Sequence, residues 1–595
     1  MMDERLNWLL LAADFALDGD SSGMRSCARE IYELNPLLAD GPALMAEAAL
    51  YAGNLEEADM LAHDALDLNP HHLLSKLVLA GVAGQRFHMQ EAISLFKEAV
   101  ASVQERLEHI ERLRRELDVR SRALGIMEDE KDLRTNMEAE EKICKRMLLL
   151  ANGWMADSFY LAGDPKEAAI AMKKASSYAE KTEQAAALYS KYLFLLNYRL
   201  LPLERSKMEA MHYAKIWKGI KPYVHENTPR HPDKRLRVGY ISPDFRTHAV
   251  ANFVAPFLRD FNDKEFSVYC YSRGNKDMVT QQLQRFPVAW RDIRGRSPRA
   301  AARMIFEDQI DILVDLSGHS QDNCLDIMVY RPAPVQVSGI GYTNTTGLSV
   351  VDYVLSDEIC MPKGVQAGFT EKILRLSGCH LCYAPEVLRE MPATSEMAPC
   401  VETGVVTFGC FNNFSKVTDE MLRLWRSVME QVQDSKLVIK NKICSVPSGL
   451  QIVRDRLRKA GLPMARVDLR PYSPDYLEQY REIDIALDTA PYNGGLTTCE
   501  ALFMGVPVVT MRGSSHGSRF GASILANAGL EELVADSPSE YSKRMVRLAT
   551  NAKLVQDYRK GLRNHLQHSR LMDSKGYMAD LEERYREIWQ AYCRG

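Results

Sequence analysis

The sequence predicts an all-α repeat array followed by two doubly wound, parallel α/β halves. Three observations carry that reading. The triplet Leu34-Asn35-Pro36 recurs 34 residues on as Leu68-Asn69-Pro70, which is the tetratricopeptide period. Beyond residue 226, short apolar runs alternate with helical stretches twice over, the pattern of parallel sheets covered by helices. Near the C-terminus a Gly-rich turn, Asn493-Gly494-Gly495, stands between an apolar run and a helix start. Such a turn lets backbone N–H groups approach a phosphate.

At 595 residues the chain exceeds one hydrophobic core, so several domains are expected. A net charge of −4 points away from a nucleic-acid or polybasic membrane surface. No run approaches the ~20 apolar residues that span a bilayer, and the N-terminus lacks a secretory apolar region. A cytoplasmic location is the expectation. The 12 scattered cysteines fit reduced thiols. One Cys-x-x-Cys occurs, Cys379-His380-Leu381-Cys382. A zinc reading needs a second ligand pair nearby in sequence, and none is seen, so these cysteines read as structural.

Residues 1–225 read as helical repeats. Tyr51-Ala52-Gly53-Asn54 and Tyr160-Leu161-Ala162-Gly163-Asp164 carry the same small-residue turn on either side of a charged interruption at about 103–148. Leu107, Ile110, Leu113 and Leu117 sit at helical spacing inside it. A solvated helical hairpin is the expected form, with a short dimerising coiled coil as the alternative. A homodimer is left open on that ground.

The Pro-containing stretch Glu226–Lys234 marks a boundary. Strands are expected at Leu236–Ile241, Phe266–Tyr271, Ile312–Leu316, Val335–Gly339 and Tyr353–Ser356, forming a first half over 226–383. Residues 384–404 read as a linker. A second half over 405–595 takes strands at Val405–Gly409, Leu437–Ile439, Val467–Leu469, Ile485–Leu487 and Val508–Met511, then a C-terminal amphipathic helix with Tyr577, Leu581, Tyr585 and Ile588 on one face. In open α/β sheets, ligands bind outside the carboxyl ends of the strands.

Candidate residues follow from that rule. Lys416 closes Phe411-Asn412-Asn413-Phe414-Ser415-Lys416 just past a strand. A lysine there suits a diphosphate, whose charge grows as it leaves. Thr497 and Thr498 open the helix beyond Gly495, and the Glu500 carboxylate behind them suits ribose hydroxyls. In the first half, His248 and His319 follow strand ends, where a titratable group serves an acceptor. The loop Gly341-Tyr342-Thr343-Asn344-Thr345-Thr346-Gly347 reads as a sugar or acceptor contact, or as a plain turn.

These motifs in this order resemble the O-linked N-acetylglucosamine transferase family: Gly239-Tyr240-Ile241-Ser242-Pro243-Asp244-Phe245 with His248, Gly318-His319, Arg331-Pro332-Ala333-Pro334-Val335-Gln336, Gly341-Tyr342, Phe411-Asn412-Asn413 with Lys416, and Asp488–Glu500. The resemblance spans residues 200–595. It implies a GT-B fold and an inverting, metal-independent transfer of N-acetylglucosamine from UDP-N-acetylglucosamine to polypeptide Ser or Thr, with no cofactor. By family position Lys416 would bind the diphosphate and Asn413 the phosphate or sugar. His248 would face sugar and acceptor, with His319 a further base candidate. Tyr342, Asn493, Gly494, Gly495, Thr497 and Thr498 would line the nucleotide sugar, and Glu500 the ribose. Tyr476 would stack on the base.

The only strict Asp-x-Asp, Asp18-Gly19-Asp20, lies in the helical N-terminus. Several positions depart from the animal enzyme: Asn413 replaces Gln, Tyr476 replaces His, Phe306 replaces His, and Gly495-Leu496 replaces a hydroxyl-bearing pair. The resemblance therefore leaves other donors open, as SPINDLY uses GDP-fucose and a bacterial branch glucosylates asparagine. It also makes the repeats the holder of the acceptor polypeptide, a flagellin or other bacterial surface protein at family level. The rival of another class is a catalytically inactive repeat scaffold.

Overall fold

The computed structural model describes residues 3–17, 20–124, 128–226 and 228–594. Asp18 and Gly19 of the Asp-x-Asp, three residues of the charged interruption (125–127) and Asn227 of the boundary lie outside them. The described chain divides into two compact units, Met1–Tyr192 and Leu193–Gly595.

The described residues of the first unit form helices joined by short turns. Its repeat turns work as the sequence suggests. Gly53 and Gly163 both adopt positive φ, +77° and +81°, a conformation that costs a glycine little. The next residue then caps the following helix: Asn54 accepts from Glu57 N, and Asp164 from Glu167 N. Alanines let paired helices close, and Ala43, Ala46, Ala49, Ala58, Ala62 and Ala65 are all buried. The charged interruption is an extension of two long helices, Met89–Leu124 and Glu128–Leu161. They pack on each other through Val103, Ile110 and Leu117 against Met137, Cys144 and Leu148. Leu113 does not join this seam; it is exposed. The heptad spacing is thus satisfied within one chain, with Arg106–Glu140 and Arg134–Asp118 ion pairs along the flanks.

The second unit holds two parallel sheets. The first comprises β1 (Leu236–Ser242), β2 (Phe266–Ser272), β3 (Ala289–Asp292), β4 (Ile312–Asp315), β5 (Val335–Ser338), β6 (Tyr353–Asp357) and β7 (Lys372–Leu376), in the order β3-β2-β1-β4-β5-β6-β7. The second comprises β8 (Val406–Cys410), β9 (Ser435–Lys440), β10 (Val467–Arg470), β11 (Ile485–Leu487), β12 (Val508–Met511) and β13 (Val534–Ala535), in the order β10-β9-β8-β11-β12-β13. β4 and β5 are buried along their whole length; β4 accordingly reads as an apolar run, Ile312-Leu313-Val314. The edge strands β3, β7 and β13 carry polar residues or are very short, and the sequence reading omits them.

Each sheet reverses its winding once, between β1 and β4 in the first and between β8 and β11 in the second. Loops at these reversals splay apart and leave room for ligands. One device recurs at both. Asp315, ending β4, accepts from Ser317 N, Gly318 N and the Ser338 hydroxyl on β5. Asp488, just past β11, accepts from Thr489 N, Gly494 N and the Thr510 hydroxyl on β12. A buried carboxylate therefore shapes the loop at each crossover.

Two boundaries differ from the sequence reading. The contact break falls at Tyr192, ahead of residue 226, because Leu203–Ile216 packs with the sheets: Tyr213 meets His319, and the Ala210 carbonyl closes on Gly347. The final helix, Ser574–Arg594, was grouped with the second half but packs on the first. Tyr577 stacks on Phe257, the Tyr585 and Tyr240 hydroxyls meet at 3.4 Å, and Trp589 donates to His231 O.

Candidate active site

The second reversal gathers most of the predicted residues. The loop after β8 runs into a short 3-10 turn, Phe414–Lys416. This turn brings the half-buried Lys416 across to the loop after β11. Its Nζ donates to Asn493 O at 3.1 Å and sits 3.8 Å from the centre of the Tyr492 ring. Tyr492 is held in turn by Tyr198, ring centres 5.3 Å apart. Burial pushes the Lys416 pKa down to about 8, with Asp488 opposing the fall. Burial pushes Asp488 up to about 6, although three donors and Lys416 favour its charged form.

The turn itself is closely packed on one side and open on the other. A Cβ on Gly494 would stand 2.5 Å from Thr497 Oγ1, 2.8 Å from Thr498 Oγ1 and 3.1 Å from Asn412 Oδ1. A Cβ on Gly495 would meet nothing within 4 Å. Gly495 is the N-cap of helix Leu496–Phe503 and offers no side chain to it. The first-turn N–H groups have no carbonyl within the helix to reach. They stand at the positive end of the helix beside an ammonium group, an arrangement that favours an anion.

The threonines behave differently from their expected role. Thr497 Oγ1 donates to Asn412 Oδ1 at 2.8 Å, and Thr498 Oγ1 donates to Gly494 O at 3.1 Å. Each hydroxyl has one proton, and here it holds the turn together. Asn413 is exposed, and its side chain caps the 3-10 turn by accepting from Ser415 N. Asn412, which the sequence reading quoted without a role, occupies the inward position. Asn493 is fully buried and donates to Thr489 O.

Glu500 lies behind the helix start with 1% of its surface exposed. Its Oε1 accepts from Tyr476 OH at 2.5 Å and from Arg389 Nη2 at 2.7 Å. Burial raises its pKa, and the two partners hold it back. Arg389 comes from the stretch read as a linker and escapes sequence reasoning. A lone arginine in a Pro-rich segment gives no sign of its partner 111 positions away. Replacing Arg389 by Ala should destabilise the protein by about 1–3 kcal/mol, because the carboxylate stays buried without its charged partner. Thermal unfolding checks this; an unchanged melting temperature would contradict it.

In the first half, His248 and His319 part company. His248 lies beyond β1 with a 41% exposed side chain, its Nδ1 3.6 Å from Asp244 Oδ2. His319 does not reach solvent. It is 1% exposed, its Nε2 bonds to Thr346 O at 2.9 Å, and its ring packs edge-on against Tyr213 and Tyr342. Burial lowers its pKa to about 4. Tyr342 is likewise buried; its hydroxyl donates to Leu193 O and accepts from Asn197. Its ring fills the space beside Gly318, where a Cβ would come within 2.3 Å of the tyrosine Cβ. Both residues therefore pack within the interior of the first half. Phe306 stacks on Tyr223 at 4.4 Å.

Comparison with known proteins gives the arrangement a lineage. Residues 206–382 and 382–581 match the family described as Glycosyl transferase family 41. The Arabidopsis thaliana protein named as a probable UDP-N-acetylglucosamine–peptide N-acetylglucosaminyltransferase SPINDLY is 38% identical over 383 residues, covering 63% of this chain and 41% of its own length. Its Petunia hybrida counterpart is 38% identical over 394 residues, with 64% and 42% covered. The chain thus spans about two-fifths of the length of these curated relatives. Among solved structures, a lysine-to-methionine mutant of Thermobaculum terrenum O-GlcNAc transferase superposes with a TM-score of 0.72 at 24% identity, covering 100% of this chain and 99% of that one. That likeness shows the fold, a helical repeat region followed by the two sheets of a GT-B enzyme. With both sheets and both of their winding reversals inside the matched residues, the chain belongs to glycosyl transferase family 41.

Proposed function

We propose that this chain is an inverting protein O-glycosyltransferase that moves N-acetylglucosamine from UDP-N-acetylglucosamine to Ser or Thr of a polypeptide. The observation that carries the reading is the Lys416 ammonium lying against the Asn493–Gly495 turn at an open helix N-terminus. The relatives' names supply the donor and the peptide acceptor. In the proposed step an acceptor hydroxyl attacks the anomeric carbon from the face opposite the diphosphate. The bond from that carbon to the phosphate oxygen breaks, and its electron pair leaves with UDP. Lys416 and the first-turn N–H groups meet that growing charge with fixed positive ends, so no metal is assigned to the step. Glu500 takes the ribose hydroxyls, with Arg389 and Tyr476 fixing its orientation. The hydroxyl proton passes to His248 or to a donor phosphate oxygen; His319 is withdrawn from the role by its burial.

The helical repeats are assigned the acceptor polypeptide, as repeat arrays present extended binding surfaces. No helix of the described residues is long and apolar enough to cross a membrane. Intact-mass analysis of candidate acceptors incubated with single nucleotide sugars tests the proposal. A gain of one N-acetylhexosamine on Ser or Thr is expected. A hexose or deoxyhexose gain would overturn the donor, and donor binding without any transfer or hydrolysis would favour a scaffold.

The reading also sets a pH dependence. Transfer needs the ammonium form of Lys416, which titrates at about 8 in the free enzyme. So kcat/KM should fall above about pH 8, whereas a bound diphosphate keeps the proton on and moves the fall in kcat to higher pH. The stability sign runs the other way. The folded pKa lies below the ordinary 10.5, so the unfolded chain holds more protons between the two values. This group's contribution to stability therefore rises with pH across that window. Rate profiles from about pH 6 to 10 check the first statement; superimposable falls in kcat and kcat/KM would contradict it.

A further inference from the structure

A second cluster lies where the two halves of the catalytic unit meet. Cys360 follows β6, Cys379 and His380 follow β7, and His516 follows β12 of the other sheet; all four are buried. Asp357, ending β6, accepts from His380 Nδ1 at 2.6 Å and from the Ser523 hydroxyl at 2.8 Å. With Nδ1 donating to the carboxylate, His380 keeps its lone pair on Nε2. That nitrogen is buried and has no hydrogen-bond partner, a costly state for a polar atom. A carboxylate behind one ring nitrogen with the other left open is the support given to histidines that ligate metals.

His516 is prepared in the same sense. Its Nδ1 bonds to Thr343 O at 3.2 Å, so its Nε2 carries the lone pair, which now accepts from Ser356 Oγ at 2.9 Å. A ligand atom from each of Cys360, His380 and His516 lies within 4.8 Å of the others, and Cys379 Sγ lies within 4.8 Å of a His380 ligand atom. Bond lengths of about 2.0 Å to nitrogen and 2.3 Å to sulfur require ligand atoms about 3.5 Å apart around a tetrahedral ion.

We propose that Cys360, His380 and His516 bind one divalent cation of the zinc class. Two imidazole nitrogens and one thiolate sulfur form a donor set that favours zinc or a tetrahedral surrogate over calcium or magnesium. On binding, the ligating thiol releases its proton to solvent and the ion takes the thiolate. The Ser356 hydroxyl gives up His516 Nε2. The ion joins a first-half loop to a second-half loop, and the residue after His516, Gly517, accepts from Asn493 N at 3.3 Å. Its role is to hold the two halves and the Asn493 turn in register. It takes no part in the transfer. His380, which lies inside the Cys379–Cys382 motif, finds its partners after β6 and on the other sheet, in Cys360 and His516.

Cobalt titration of the full chain, stripped with chelator under reducing conditions, tests this. One equivalent of Co2+ should give a thiolate-to-cobalt band in the near ultraviolet and the strong visible bands of a tetrahedral ion, both lost on adding Zn2+. Elemental analysis should then find one zinc per chain. Zn2+ should raise the melting temperature of the stripped protein. Cys360→Ser and His380→Ala should abolish the cobalt bands, Asp357→Asn should weaken binding about 10–100-fold, and Cys444→Ser, outside the cluster, should leave the bands unchanged. Absence of a thiolate–cobalt band in the unsubstituted chain would overturn the proposal whatever the variants do. So would equal metal content in a folded His380→Ala protein.

Discussion

Replacing Lys416 by Ala should cost about a thousandfold in kcat, the scale seen when one preorganised charge or donor is removed from a site of developing negative charge. The fold should survive. Asp488 keeps its bonds from Thr489 N, Gly494 N and Thr510 Oγ1, and the deletion removes an ammonium whose burial is unfavourable in itself. The melting temperature should stay within a few degrees while transfer disappears. Initial rates with the donor that passes the mass test, measured beside a thermal melt, decide the matter. Near-normal turnover in Lys416→Ala would remove the mechanism. Arginine is not expected to rescue, because its planar fork cannot occupy a place shaped for a point charge 3.1 Å from Asn493 O and 3.8 Å from the Tyr492 ring centre.

The second large effect separates two adjacent glycines. A methyl group on Gly494 would press on three polar atoms already engaged in the turn: Thr497 Oγ1 and Asn412 Oδ1, bonded to each other, and Thr498 Oγ1, bonded to Gly494 O. Relief requires moving the loop after β8 or the helix start, at a cost of about 1–3 kcal/mol. Gly494→Ala should therefore lower the melting temperature and abolish UDP binding together. Gly495→Ala meets open space, so it should leave the melting temperature unchanged. It should still weaken UDP about tenfold, because the methyl stands where phosphate oxygens approach the helix N-terminus. Calorimetric titration with UDP and a melt on each variant give both readouts. Equal UDP affinity in Gly495→Ala and the unsubstituted chain would place the diphosphate elsewhere.

The two substitutions also mark how far the sequence reaches. The repeat period, the alternation of strands and helices and the Gly-rich turn were legible because each is a local pattern, set by periodicity or by one residue's backbone freedom. β1, β4, β8 and β11 announce themselves because strands buried on both faces carry near-continuous apolar runs. β3, β7 and β13 do not, since an edge needs no such run.

What only the tertiary structure decided is which side chains meet. His248 and His319 look alike in sequence, each just past a strand end, yet packing by Tyr213 and Tyr342 seals one and leaves the other exposed. Asn412 and Asn413 are neighbours of one type, and the 3-10 turn sends one inward and the other to solvent. Arg389 finds Glu500, and Cys360 finds His380 and His516, across stretches of chain that carry no mutual signal. By itself the sequence determined the helical repeats, the two runs of alternating strands and helices and the place of the Gly-rich turn, because those follow from local patterns. The meeting of these side chains rests on contacts distant in sequence, and only folding brings them together.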